Sequence, residues 1–129
     1  MERITFAAAD GYPLAVHRFE PHGPVHGQIL IAAAMAVPQG FYANFARWLA
    51  KRGYLTWTFD YRGIGESLTG PRRRMKADLS DWLLKDYDAL LRHITAASPE
   101  QPLFVLGHSF GGQVAPLLPS RERLAGLVN

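Results

Sequence analysis

A serine set between two glycines is the part of this sequence best suited to chemistry. The segment 107–111 reads Gly-His-Ser-Phe-Gly and directly follows the short apolar run 103–106. A strand that turns sharply into a helix at such a serine lifts its Oγ clear of the sheet. A Cβ at Gly107 or Gly111 would crowd that turn, which explains the glycines. The pattern therefore predicts that Ser109 is a nucleophile, with the N–H groups of the following helix directed at an oxyanion beside it.

The composition indicates one globular domain and excludes several classes of protein. The chain has 129 residues, of which 48% are hydrophobic and 19% are charged, as is typical of a soluble domain. It has no cysteine, so it forms neither disulfides nor thiolate metal sites. The longest apolar stretch, residues 29–37, is too short to span a bilayer. The first four residues lack the apolar core of a signal peptide, so we expect a cytoplasmic protein without membrane contact.

The charge pattern does not indicate a nucleic-acid partner. The formal net charge is +3, and four basic residues lie close together, namely Arg72, Arg73, Arg74 and Lys76. No recognition motif accompanies this basic run, so we interpret it as a solvated loop. Contact with an anion or an acidic substrate is an alternative interpretation, and nucleic-acid binding is a third.

No cofactor is predicted. His22 and His26 share a loop rich in proline and glycine, but no carboxylate or third ligand accompanies them, so we expect solvated side chains. The glycines of the segment 107–112 lack the Gly-Lys-Ser/Thr ending of a phosphate-binding loop, and no strand is followed by Gly-x-Gly-x-x-Gly.

Strands and helices alternate along most of the chain. Two alternating runs flank the turn signal Asp10-Gly11, which predicts a hairpin of strands at 3–7 and 14–19. Continuous apolar or β-branched runs predict three buried strands, at 28–33, 54–59 and 103–106. Helices are predicted at 41–52 and 78–97, and the start of a last strand at 124–128. This order predicts an α/β fold with a mostly parallel sheet and helices on both faces.

Two helices carry further signals. In the helix at 41–52, one face is formed by Phe41, Phe45, Trp48 and Leu49. Helical spacing of apolar residues is typical of a face that packs on the core, so we expect these side chains against the sheet. Pro116 lies past the first turn of the helix after the serine, which predicts a short or kinked helix there.

Three segments together resemble the α/β-hydrolases. They are the turn at 107–112, the segment 60–67 that reads Asp-x-Arg-Gly-x-Gly-x-Ser, and the strand, loop and helix of 29–53. The chain is most similar to the esterase and serine-aminopeptidase-like branch, and it shares Val-Pro-Gln-Gly-Phe-Tyr at 37–42 with a group of bacterial predicted hydrolases. The resemblance covers nearly all of the chain and implies the N-terminal portion of that fold, truncated after the helix that follows the serine.

The resemblance assigns roles to three residues. It implies that Ser109 is the nucleophile and that the backbone N–H groups of Phe110 and Met35 bind the oxyanion. Many relatives carry His-Gly before the second oxyanion residue, whereas this chain has alanine at both positions, 33 and 34. It implies a structural role for Asp60, since the triad acid normally follows the serine in this fold.

The histidine of a catalytic triad is missing from the expected place. The triad order in this fold is serine, acid, histidine, yet positions 110–129 contain Glu122 and no histidine. All five histidines precede Ser109, and on a tight turn the ring of His108 should point away from the Oγ. We therefore expect residues 1–129 to form an incomplete α/β-hydrolase domain, its N-terminal half. The strand at 103–106 would then lie at or near an open edge, which would pair with a missing C-terminal half or promote self-association.

Two functions follow from these observations. The first is the N-terminal part of a serine hydrolase that acts on ester or similar acyl bonds of a small molecule, with its histidine and acid outside this chain. The alternative is a non-catalytic truncated remnant or interaction module with a hydrolase-like fold. A serine without its base is a weak nucleophile, which favours the alternative for these residues alone.

Overall fold

A computed structural model describes residues 1–71 and 76–129 of the chain. It contains one six-stranded sheet in the order β1-β2-β4-β3-β5-β6. The strands are β1 (Glu2–Ala7), β2 (Pro13–Phe19), β3 (Gly27–Ala32), β4 (Tyr54–Phe59), β5 (Leu103–Gly107) and β6 (Gly126–Val128). The α-helices are α1 (Ala43–Lys51), α2 (Asp88–Ala97) and α3 (Phe110–Gln113). Of the basic run, Arg72, Arg73 and Arg74 lie outside the described residues, and Lys76 is exposed.

The first two strands form the predicted hairpin. β1 pairs antiparallel with β2, with Ala7 opposite Pro13. Gly11 takes a φ of 88° in the turn, a conformation that glycine adopts without steric cost. The Asp10 carboxylate accepts a hydrogen bond from the backbone N–H of Tyr12, which closes the turn locally. β2 then pairs antiparallel with β4 and joins the hairpin to the rest of the sheet.

The remaining strands are parallel, as predicted. β3 is buried along its whole length and lies between β4 and β5. The chain passes from β3 through α1 to β4, and then through α2 back across β3 to β5. Since such crossovers are right-handed, these two connections in opposite directions place α1 and α2 on opposite faces of the sheet. β5 is an inner strand, and the three-residue β6 beside it forms the edge.

The helix predicted at 41–52 has a different buried face from the one expected. It begins as a 3-10 turn, Gln39–Tyr42, and continues as α1. Phe41, Phe45 and Trp48 are 73%, 41% and 48% exposed, so the prediction that they pack on the sheet is wrong. Leu49 is buried as expected. It shares the sheet-facing side with Tyr42, Ala46 and Ala50, whose spacing is equally helical.

The physical reason for this difference is the small size of alanine. Ala46 and Ala50 allow the helix backbone to approach the sheet closely, so the inner face needs few large side chains. The outer aromatic residues instead pack on one another and on a cation. Phe45 stacks on Trp48 with ring centroids 6.0 Å apart, and the Arg52 guanidinium lies 3.6 Å from the Trp48 ring centroid.

The segment predicted as one helix at 78–97 contains two kinds of helix. A π-helix occupies Asp81–Tyr87, and α2 follows without a break. π-helical turns are rare and often occur at functional sites. Here the buried residues of the π-helix are Asp86, which binds Arg62 in the loop after β4, and Tyr87, which binds the carbonyl of Gly111 in α3.

The chain after β5 agrees with the prediction from Pro116. α3 has four residues, and a 3-10 turn containing Pro116, Ala115–Leu117, follows it. β6 then forms within the predicted 124–128 segment. Within residues 1–71 and 76–129, no helix is long and apolar enough to cross a membrane.

Candidate active site

Ser109 occupies a strained turn between β5 and α3. Its φ is 52° and its ψ is −113°, a combination that side-chain-bearing residues rarely adopt. Its carbonyl oxygen accepts hydrogen bonds from the N–H groups of Gly112 (3.0 Å) and Gln113 (2.8 Å). The residue is exposed, in contrast to the buried residues Gly107 and Phe110 on either side of the turn. The fold therefore presents the hydroxyl at the carboxyl end of a central strand.

The glycines around the serine are sites of close backbone contact. A Cβ on Gly107 would overlap the backbone of Gly112, and one on Gly111 would overlap the carbonyl of Ala32 at the end of β3. The hydroxyl of Tyr87 donates a hydrogen bond to the Gly111 carbonyl at 2.9 Å. Burial raises the pKa of Tyr87 above its usual value, so the hydroxyl retains the proton that it donates.

Met35 lies in the loop that follows β3. The N–H of Val37 donates to the carbonyl of Ala34 at 3.1 Å, so Met35 and Ala36 are the central residues of a β-turn. Ala36 has a φ of 61°, a position that usually requires glycine. The side chain of Met35 is 49% exposed, so it contributes little packing.

Two backbone donors remain unpaired at this end of the sheet. Within residues 1–71 and 76–129, neither the N–H of Met35 nor the N–H of Phe110 has a protein acceptor. Phe110 is the first residue of α3, so its N–H has no partner within the helix. Because α3 has only four residues, an oxyanion here would interact mainly with individual N–H groups and little with a helix dipole.

His108 is hydrogen-bonded to a tyrosine that sequence reasoning did not identify. Its Nδ1 lies 2.8 Å from the hydroxyl of Tyr42, and its ring stacks beside Phe41 with centroids 6.4 Å apart. The same hydroxyl accepts a hydrogen bond from the N–H of Ala34 at 3.0 Å. The helical spacing of Tyr42 with Ala46 and Leu49 was the signal that could have identified it as a buried residue.

Asp60 joins the segments that follow β3 and β4. Its carboxylate accepts hydrogen bonds from the backbone N–H (2.7 Å) and side-chain amide (2.8 Å) of Gln39 and from the N–H of Glu66 (3.1 Å). The Gln39 amide also binds the carbonyl of Ala15 and the hydroxyl of Thr58. Since Asp60 is 1% exposed and fully engaged, its geometry matches the structural role that the resemblance implied.

Arg62 joins two carboxylates that the sequence did not connect. It forms a two-pronged ion pair with Asp10, at 2.8 Å for both bonds, and binds the buried Asp86 through its Nε, Nη2 and backbone N–H. The hydrogen bonds from Arg62 hold the pKa of Asp10 below its usual value. Burial raises the pKa of Asp86, and the bonds from Arg62 only partly oppose that effect.

The other sequence candidates lie apart from this cluster. His22 and His26 are exposed on the loop before β3, and His93 packs against the ring of Phe6. His17 is buried on β2, with its Nε2 3.2 Å from the Glu66 carboxylate. Glu122 is exposed on a 3-10 turn. Among the residues that the structure describes, no group of three or more histidine, aspartate or glutamate side chains is arranged to hold a metal ion.

The topology and the serine turn define the class of protein. A sheet of order β1-β2-β4-β3-β5-β6 with an antiparallel hairpin at one end and a serine after β5 has an α/β-hydrolase fold. The soluble variant of monoglyceride lipase from Saccharomyces cerevisiae superposes with a TM-score of 0.81 at 21% identity. A thermostable carboxyl esterase from Bacillus coagulans superposes with a TM-score of 0.84 at 17% identity. Each superposition covers 98% of this chain, which confirms the predicted fold class.

Sequence comparison identifies the family within that class. The chain belongs to the serine aminopeptidase, S33, family, whose model matches residues 20–128. The monoacylglycerol lipase of Mycolicibacterium smegmatis is 30% identical over 110 residues, or 85% of this chain. This chain spans 38% of the length of that lipase and 42% of each of the two solved chains.

Proposed function

We propose that residues 1–129 form the N-terminal part of a serine hydrolase domain that cleaves ester or similar acyl bonds of small molecules. The observation that carries the proposal is the exposed Ser109 held at a positive φ at the end of a central strand, beside two unpaired N–H donors. Family membership supports hydrolase chemistry, and the coverage of longer relatives supports a larger domain.

The proposed reaction begins at the Ser109 hydroxyl. Its oxygen attacks the carbonyl carbon of the ester, and the N–H groups of Phe110 and Met35 bind the oxyanion that forms. The bond to the leaving alcohol then breaks, which leaves an acyl group on Ser109, and water releases that acyl group as the acid. A general base must take the serine proton and return it to the alcohol, and we assign this base and its supporting acid to sequence outside residues 1–129.

Names of the relatives suggest which substrate to test first. The relative from M. smegmatis is named a monoacylglycerol lipase, and one solved neighbour is a monoglyceride lipase. We therefore propose a glycerol monoester of a fatty acid as the first substrate. A simple chromogenic ester serves as the general probe of acyl transfer.

The test replaces the proposed nucleophile in the protein at its natural length. Ser109→Ala should lower the hydrolysis of both esters by more than about 10³-fold, because the acyl-enzyme can no longer form. The matched control is Ser98→Ala, which removes a hydroxyl from a half-buried residue after α2 and should leave the rate unchanged. Hydrolysis that persists in Ser109→Ala would contradict the proposal.

A second function is favoured by one observation. All five histidines precede Ser109, and the nearest in sequence, His108, is hydrogen-bonded to Tyr42. Residues 1–129 could thus be a non-catalytic remnant or interaction module that retains the turn for folding. A serine-reactive phosphonate distinguishes the two, since a remnant leaves Ser109 unlabelled.

A further inference from the structure

The hydroxyl of Tyr42 lies at the junction between two loops that meet at the candidate site. Tyr42 is 7% exposed and ends the 3-10 turn before α1, so its ring is fixed by packing. Its hydroxyl contacts the N–H of Ala34 at 3.0 Å in the loop after β3. It also contacts the Nδ1 of His108 at 2.8 Å in the serine turn. One oxygen atom therefore connects the two loops, and Tyr42 itself is 66 residues from His108 in sequence.

The hydroxyl of Tyr42 can make both hydrogen bonds at once. A backbone N–H can only donate, so the Tyr42 oxygen accepts from Ala34. The oxygen keeps a second lone pair and its own proton, so the bond to the Nδ1 of His108 forms whether that nitrogen accepts the hydroxyl proton or donates a ring proton. The link between the two loops therefore holds in either tautomer of His108.

The loop after β3 needs such an external constraint. Its turn places Ala36 at a φ of 61°, which costs about 1 kcal/mol for a residue with a side chain. At its far end the N–H of Gln39 is held by Asp60 at 2.7 Å. At its near end the Tyr42 bond to Ala34 provides the corresponding attachment. Met35, whose N–H is a proposed oxyanion donor, lies between these two attachments.

We propose that Tyr42 is a positioning residue that sets the separation between the two oxyanion donors. Its hydroxyl joins Ala34, which precedes Met35, to His108, which lies two residues before Phe110. Displacing a catalytic group by about 1 Å can cost as much as 10²-fold in rate, so this link controls turnover without touching the substrate. The inference rests on the proposed function, since it takes Met35 and Phe110 as the oxyanion donors.

The kinetic test uses Tyr42→Phe in the protein at its natural length. This change removes one oxygen and keeps the buried ring, so kcat for the chromogenic ester should fall about tenfold while KM stays within twofold. The matched control is Tyr54→Phe, because Tyr54 is half-buried and its hydroxyl makes no hydrogen bond within the described part of the chain. An unchanged kcat in Tyr42→Phe, or a change in KM alone, would overturn the proposal.

A second measurement needs no turnover. The ¹⁵N chemical shifts of the His108 ring in the wild-type protein report which nitrogen carries the proton. The shift of Nδ1 should differ between the wild-type protein and Tyr42→Phe, because the variant removes its hydrogen-bond partner, whereas Tyr54→Phe should leave that shift unchanged. An Nδ1 shift that stays the same in Tyr42→Phe would overturn the link between the two loops.

The two proposals fail in different ways. Hydrolysis that survives Ser109→Ala would overturn the proposed function, whatever Tyr42 does. Loss of hydrolysis in Ser109→Ala together with full activity in Tyr42→Phe would overturn the role of Tyr42 alone.

Discussion

Ala36 and Ser109 are the two residues other than glycine that take positive φ angles within the described residues, and both lie at the candidate site. Such backbone strain persists only where the surrounding structure enforces it. Around Ser109 these contacts are the close backbone approaches at Gly107 and Gly111, where a Cβ would not fit. The hydrogen bond that Tyr87 donates to the Gly111 carbonyl adds to them. Around Ala36 they are the bonds made by Tyr42 and Gln39. The strain therefore lies at both segments that carry the proposed oxyanion donors.

The ion pair between Arg62 and Asp10 should make stability depend on pH in a defined direction. Because the pKa of Asp10 is lower in the folded chain than its ordinary 3.8, the pair stabilises the fold above that pH and less so as the pH falls below it. Asp10→Asn should therefore lower the free energy of unfolding by about 1 kcal/mol at pH 7, a value suited to a two-pronged pair whose carboxylate is exposed. Chemical denaturation across pH measures the difference.

The difference in unfolding free energy between wild type and Asp10→Asn should become smaller in acid, and this decrease distinguishes the ion pair from other causes. Asp86, whose pKa is raised by burial, acts in the opposite direction but is present in both proteins. The control is Glu100→Gln, because Glu100 is exposed and forms no ion pair in the part of the chain that the structure describes. A gap between wild type and Asp10→Asn that is as large at pH 3 as at pH 7 would show that the ion pair is not its source.

The elements that carry the site were predicted with different success. β4 has the predicted bounds because its run of β-branched and aromatic residues is continuous and buried. The face of α1 was wrong because periodicity shows which residues share a side and does not show which side is inward. Large aromatic residues marked one side of α1, whereas alanines, with little hydrophobic signal, marked the side that packs.

The orientation of α1 leads to a direct comparison of two variants. Leu49→Ala removes a side chain that is 7% exposed and should lower the free energy of unfolding by about 2–5 kcal/mol. Phe45→Ala removes a larger side chain that is 41% exposed and should cost less than Leu49→Ala, on the order of 1 kcal/mol. Urea denaturation of both variants measures the costs, and the reverse order would contradict the inward face described here.

The site itself could be predicted only where its parts are close in sequence. Ser109 and its glycines belong to one short motif, so local reasoning found them. Tyr42 is 66 residues from its partner His108, and Asp86 is 24 residues from its partner Arg62. Nothing in the linear sequence indicates that these residues pair. Hydrogen bonds of this kind depend on the finished packing of the sheet, and a single sequence carries no direct signal of them.

The molecule as a whole has an α/β-hydrolase fold and belongs to the serine aminopeptidase, S33, family, and it spans 38% of the length of the monoacylglycerol lipase of M. smegmatis. We assign the proposed base and acid to sequence outside residues 1–129. In the function that we propose, residues 1–129 supply the nucleophile and the oxyanion donors, whereas proton transfer depends on sequence outside them. The central claim is that Ser109 is the nucleophile.

The most direct measurement of that claim is labelling with a serine-reactive phosphonate, followed by peptide mass mapping of the protein as its source cell makes it. We predict a single covalent adduct on Ser109, loss of ester hydrolysis in proportion to labelling, and no adduct in Ser109→Ala. Labelling of another residue, or continued hydrolysis by fully labelled protein, would contradict the assignment. An intact mass taken from the same sample gives the natural length of the chain in which the adduct forms.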